Sequence, residues 1–177
     1  MGTRRVLKSY DRSNAMNLVA LGALQARIHG QIDPTPLPKV DAGENIEGEL
    51  PRLLPMAEMD PATADLVQRL NAVGDNEQRV IASMYRHLAH WPGFLQLVWE
   101  RLEPIAADGS IDRMIQESVE TGRGISRQLA AIMTPPADIP APETVVQVNA
   151  ALDLFIHHAI GRMVPIGRML TVSFPSE

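Results

Sequence analysis

The stretch that most constrains this chain is Arg79–Pro104, RVIASMYRHLAHWPGFLQLVWERLEP, which holds both tryptophans. Val80, Ile81, Met84, Leu88 and Trp91 recur at helical spacing and predict one apolar stripe. Pro92-Gly93 interrupts it, because proline lacks an amide hydrogen and disfavours helical geometry in the residue before it. Phe94, Leu95, Leu97, Val98, Trp99 and Leu102 resume the pattern up to Glu103-Pro104. A buried helix, a hard corner and a second buried helix follow, with Arg86, His87 and His90 as the chemically capable side chains beside the corner.

The rest of the chain must supply what these helices bury against. Its 177 residues suit one domain with a real core. No apolar run approaches the roughly 20 residues of a membrane span. The opening MGTRRVLKSYDRSN has no apolar segment of the signal-peptide kind, and a cytoplasmic protein is expected. Having no cysteine excludes disulfides, thiol nucleophiles and thiolate metal sites. A net charge of −5 without a basic-aromatic stripe argues against nucleic acid as a partner.

In chain order, Val6–Tyr10 reads as the end of a helix broken at residues 11–14. Ser13 or Asn14 would cap a second helix over 15–28, which Gly30 ends. Residues 31–59 are proline-rich, a linker or a functional cover. Asp60-Pro61 starts a helix that runs to Gly74, after which Asp75 and Gln78 would cap the central helix. Ser110 opens a helix containing Gly122 and Gly124, which mark close packing, a bend or a break. After a second proline-rich connector at 135–142, a last helix spans about 143–170, kinked or ended by Pro165. There are no strand signals, and the expectation is all-α, with residues 60–177 as the main helical domain.

His87 and His90 stand three apart and His157 and His158 are adjacent, without the carboxylate context of a metal site, so no metal or other cofactor is expected. Arg86 and His90 share a helical face on which a guanidinium would clamp a small carboxylate, or Arg86 would simply be solvated. Asp153 precedes His157 by one turn, either orienting the imidazole or forming a surface pair. Asn14 and Asn17 read first as helix caps and polar side chains turned to solvent.

YDRSNAMNLVALGAL (10–24), LPRLLPMAEM (50–59) and SMYRHLAHWPGFLQLVWERLEP (83–104) together resemble the group I 2-haloacid dehalogenases, the DehI-type halocarboxylic acid dehalogenases. The turn from Leu88 to Pro92 is the sharpest match and the Asn14 turn the next. The resemblance implies an AhpD-like multi-helix bundle in which a pair of helical repeats enclose the site. This chain would hold an N-terminal helix pair left from a first repeat (1–30), a proline-rich linker (31–59) and one full repeat (60–177). It would complete itself as a homodimer or be a shortened form.

The resemblance also implies hydrolysis at a carbon–halogen bond by water that an aspartate activates and an asparagine holds. Asn14 takes the asparagine's place, whereas the aspartate's place is Met84, whose thioether cannot take a proton. His87, one helical turn beyond, would be the substitute base. Tyr85, Arg86, His90 and Trp91 would border the site of a small organic acid. The competing expectation is a non-catalytic helical module for dimerisation or a protein partner.

Overall fold

A computed structural model of the chain describes residues 2–39, 48–75, 77, 79–134 and 140–174. Gln78 and residues 135–139 lie outside them, so neither the expected Asp75–Gln78 capping box nor most of the second connector can be followed. The described residues form seven helices in the order α1 (Gly2–Ile28), α2 (Pro61–Ala72), α3 (Ser83–Leu88), α4 (Pro92–Ala107), α5 (Ser110–Ile132), α6 (Pro142–Phe155) and α7 (Gly161–Ser173). A short 3₁₀ turn (Met56–Glu58) precedes α2, and a π turn (Ile156–Ile160) joins α6 to α7. The fold is all-helical, with no strand among the described residues, and no helix is long and apolar enough to cross a membrane.

The sequence's apolar stripes meet in one main core. Val6 and Leu7 of α1, Leu66, Val67 and Leu70 of α2, and Met84, Tyr85 and Leu88 of α3 bury there. Leu95, Val98 and Leu102 of α4 and Met163, Ile166 and Leu170 of α7 complete it. The short α3 lies at the centre, as its hydrophobic spacing requires. The corner falls at Ala89–Trp91, with Pro92 at the first position of α4, where a missing amide hydrogen costs nothing. The helix passes Pro104 and ends at Ala107, followed by Gly109 at φ +74°.

Asp60 caps α2 as expected, its carboxylate accepting from the Thr63 amide at 3.0 Å. Gly30 and Gln31 close α1 with amide bonds to the Arg27 and Ala26 carbonyls (3.3 and 2.8 Å), the pairing that a left-handed glycine permits.

Three expectations are corrected. The break at 11–14 does not occur, and α1 is one continuous helix of 27 residues rather than a helix pair. Capping preference is weak, and packing along α5 and α7 overrides it: Asn14 is buried inside the helix and Asp11 pairs with Arg168 of α7 at 3.3 Å. The central helix starts at Ser83, later than the start expected just after Asp75; the Asp75 carboxylate accepts from the Glu77 amide and meets His158. The last helix is interrupted before Pro165 rather than at it, and α7 runs through Pro165 to Ser173.

That interruption is the π turn, in which the Gly161 amide reaches back to the Ile156 carbonyl. A Cβ on Gly161 would lie 2.4 Å from that carbonyl oxygen, an atom of the backbone that cannot swing aside. Gly161→Ala is therefore expected to lose about 1–3 kcal/mol by urea unfolding. Gly124 meets nothing, and Gly124→Ala should gain up to about 1 kcal/mol as an ordinary helix position.

Gly122 marks close packing, one of the alternatives its position in α5 left open. Its missing Cβ leaves room for Leu18 of α1, and Gly22 leaves room for Ser126, whose hydroxyl donates to the Val19 carbonyl at 3.0 Å. Gly22 and Ala26 face Gly122, Ser126 and Ala130 along this crossing, so small residues every fourth position let α1 and α5 run close together.

Candidate functional site

A cavity of ≈ 250 Å³ opens where α1 and α3 meet the junction of α6 and α7. Tyr10, Ser13, Asn14 and Asn17 line it from α1, Ser83 and Met84 from α3, and Phe155, Ile160 and Met163 from the far side. Asn14 is 8% exposed, and its amide nitrogen has no hydrogen-bond partner among the described residues. A buried donor left unmade costs roughly 1–3 kcal/mol, so its natural complement is an acceptor brought into the cavity. Met84 is buried on the opposite wall. No charged side chain lines this cavity.

Behind the wall, the Tyr10 hydroxyl meets His87 Nδ1 at 2.8 Å, with the rings 5.6 Å apart. His87 is also hydrogen-bonded to the backbone of Pro51. Proline has no amide hydrogen, so His87 must donate there. The neutral imidazole then has Nδ1 left to accept from Tyr10. Burial raises the Tyr10 hydroxyl above its ordinary range, opposed by a hydrogen bond from Ser83 and by the charge of Arg86. Burial likewise holds His87 below its ordinary value, against the Pro51 bond and helped by the positive fields of His90 and Arg86.

The sign of the pH effect follows. A histidine whose folded pKa is depressed binds fewer protons folded than unfolded, so stability falls as pH drops below about 6.5 and levels off below the folded pKa. Urea midpoints of the wild type should fall across that window more steeply than those of His87→Gln. Parallel curves would show that His87 does not carry the effect.

The remaining sequence candidates are brought together differently. Arg86 Nε donates to the Leu54 carbonyl at 3.0 Å and His90 Nε2 to the Arg52 carbonyl at 2.8 Å. With His87 on Pro51, three side chains of the α3 region pin residues 51–54 against the core, where Leu50, Leu54 and Met56 pack. The described end of the proline-rich stretch is thus a cover over α3. Tyr85 is wholly buried in the core, its hydroxyl without a partner among the described residues and raised by burial against the charge of Arg162. Trp91 stands edge-on to His90, 6.0 Å between ring centres, and covers Gly2.

The histidine pairs diverge. His157 lines a separate cleft with Asp153, whose carboxylate accepts from Gln25 at 2.6 Å, while His158 Nδ1 faces Asp75 at 3.3 Å. Among the described residues no three His, Asp or Glu side chains gather as a metal would need.

Comparison with protein-family models, curated proteins and solved structures finds no match to this chain.

Sequence reasoning missed the tightest polar cluster. Arg162 is fully buried, its guanidinium donating to the carbonyls of Asn71, Val73 (3.3 Å) and Val80 (3.1 Å) and to the Asn71 side chain (2.8 Å). Its Nε reaches the His158 carbonyl at 3.2 Å. Burial lowers its pKa, offset by Tyr85 and by the carboxylate of Asp75. Asn71 also accepts from the Ala82 amide at 2.9 Å, so this network sets where α3 begins and hence the wall carrying Ser83 and Met84. The signal was an arginine set inside the apolar run Ile160–Ile166.

Proposed function

We propose that this chain is a divergent, small-molecule-binding relative of the 2-haloacid dehalogenases, with the Asn14 cavity as its site and its hydrolytic chemistry weakened or lost. The observation that carries the reading is the unpartnered amide of Asn14 in one cavity with Met84. These are the positions at which the resemblance puts the water-holding asparagine and the aspartate. A short organic acid or haloacid would set an oxygen on Asn14 Nδ2 and its alkyl or halogen end against Met84, Ile160 and Met163. With no cation in the lining, binding would favour the protonated or uncharged form of such a ligand.

Met84 cannot take a proton from water. A relay leads from Tyr10, in the cavity lining, to His87, whose Nδ1 accepts from the Tyr10 hydroxyl. Arg86 and His90 then serve by holding the cover in place through the Leu54 and Arg52 carbonyls, while Tyr85 belongs to the core behind the site.

The test is calorimetric titration with 2-chloropropionate and 2-chloropropionamide, alongside halide release. Saturable binding that weakens at least about tenfold in Asn14→Leu is expected, the worth of one hydrogen bond in a dry site. Unchanged binding in Asn14→Leu would remove the site. Halide release abolished by His87→Ala would show the hydrolysis running through the Tyr10 relay.

One observation favours a second reading, a dimerisation or protein-interaction module. α6 exposes Val146 (69%), Val148 (36%) and Phe155 (47%) and buries only Leu152. Sedimentation of wild type and Val146→Lys tests the dimerising form of this reading: a dimer dissociated by the substitution would put the contact on α6, and a monomer in both would remove self-association through that face.

A further inference from the structure

A second cleft, of ≈ 290 Å³, lies between the C-terminal half of α1, α5 and the π turn, away from the Asn14 cavity. Its charge has the opposite character. Arg123 and Arg127 stand one turn apart on α5, and His29, just past the end of α1, and His157 of the π turn share the lining with them. Leu18, Val119 and Ile156 contribute an apolar floor.

Arg127 Nε is buried without a hydrogen-bond partner among the described residues. The other polar groups of the cleft are partly engaged. Arg123 pairs with Glu120 at 2.9 Å, the Asp33 carboxylate lies within the field of Arg127, and His29 meets Asn149 at 2.9 Å. Asp153 is the one carboxylate in the lining, held by Gln25.

We propose that this cleft is a binding site for a small organic acid that also carries a hydrogen-bond donor, such as a 2-hydroxy acid. The ligand's carboxylate answers the unpartnered Nε of Arg127 and the guanidinium of Arg123, since paired planar donors match paired oxygens. Its hydroxyl answers Asp153, and its short alkyl body lies on the floor of Leu18, Val119 and Ile156. A simple anion leaves Asp153 facing negative charge, and a neutral alcohol leaves Arg127 unpaired, so the lining selects the combination. The site stands independently of the Asn14 cavity.

Titration of the full chain with 2-hydroxybutyrate, butyrate and inorganic phosphate, followed by backbone amide NMR, decides it. Saturable binding of 2-hydroxybutyrate is expected, with shifts at His29, Arg127 and His157. Butyrate should bind about tenfold more weakly and phosphate no better than butyrate. Arg127→Lys, which keeps the charge but removes Nε, should weaken 2-hydroxybutyrate about tenfold. Should that variant not fold, Arg123→Gln on the exposed rim gives the same reading. No saturable binding in the millimolar range, equal affinity for butyrate, tighter binding of phosphate, or indifference to the arginine substitutions each overturns the proposal.

Discussion

Arg162→Met is expected to lower stability by about 3–5 kcal/mol, a large share of the roughly 5–15 kcal/mol a domain has. Methionine replaces most of the volume but none of the donors. The buried carbonyls of Asn71 and Val73 would then lose a partner away from water, each at a cost of roughly 1–3 kcal/mol before relaxation, and the part-buried His158 carbonyl would lose one as well. Asn71 would lose the guanidinium from its own side-chain oxygen while still holding the Ala82 amide. Arg162→Lys should recover only part of the loss, because an ammonium has fewer donors and no planar fork. Urea unfolding of the three proteins measures the series. A loss under about 1 kcal/mol in Arg162→Met would mean that these carbonyls reach water and that the network is dispensable.

Met84→Asp returns a carboxylate to the place where the resemblance expects one, and its effect should be nearly as large. Met84 is 1% exposed and belongs to the main core. Aspartate removes apolar packing and puts a charge among Tyr85, Leu88 and Met163, with Asn14 Nδ2 as a buried unpartnered donor of the shared cavity. A loss on the order of 3–5 kcal/mol at neutral pH is expected.

The loss should depend on pH. Burial raises the folded pKa of the new carboxyl above its unfolded value near 4, so its penalty shrinks as pH falls through the folded value toward the unfolded one. Subtracting the wild-type urea curve at each pH isolates this from the opposite trend of His87. A small, flat penalty would show that the cavity hydrates a carboxylate as it stands, which favours retained hydrolysis.

Much of the fold was legible because it rests on local rules. The apolar stripes of 80–102, the Pro92-Gly93 corner, the Asp60-Pro61 start and the Gly30 end each follow from backbone chemistry or helical period acting over a few residues. Where the reading erred, long-range packing outweighed a weak local signal. Asp11–Asn14 looked like a break because those side chains suit caps, but α5 and α7 hold that turn helical.

The candidate site was legible in smaller measure. Asn14 and Met84 could be paired only through the resemblance. Nothing in their spacing told that Tyr10 would engage His87, or that Arg86 and His90 would spend donors on the 51–54 backbone.

The sequence by itself determined that the chain is helical, where its corner falls and which side chains are fit for chemistry, since helical period and proline geometry act within one turn. Only the tertiary structure decided which of those side chains remain unpaired. A donor's partner can come from any part of the chain: Leu54 reaches Arg86, and Asn71 reaches Arg162, across spans that spacing does not encode. Asn14 and Arg127 are left with buried donors because packing brought no acceptor to them from among the described residues.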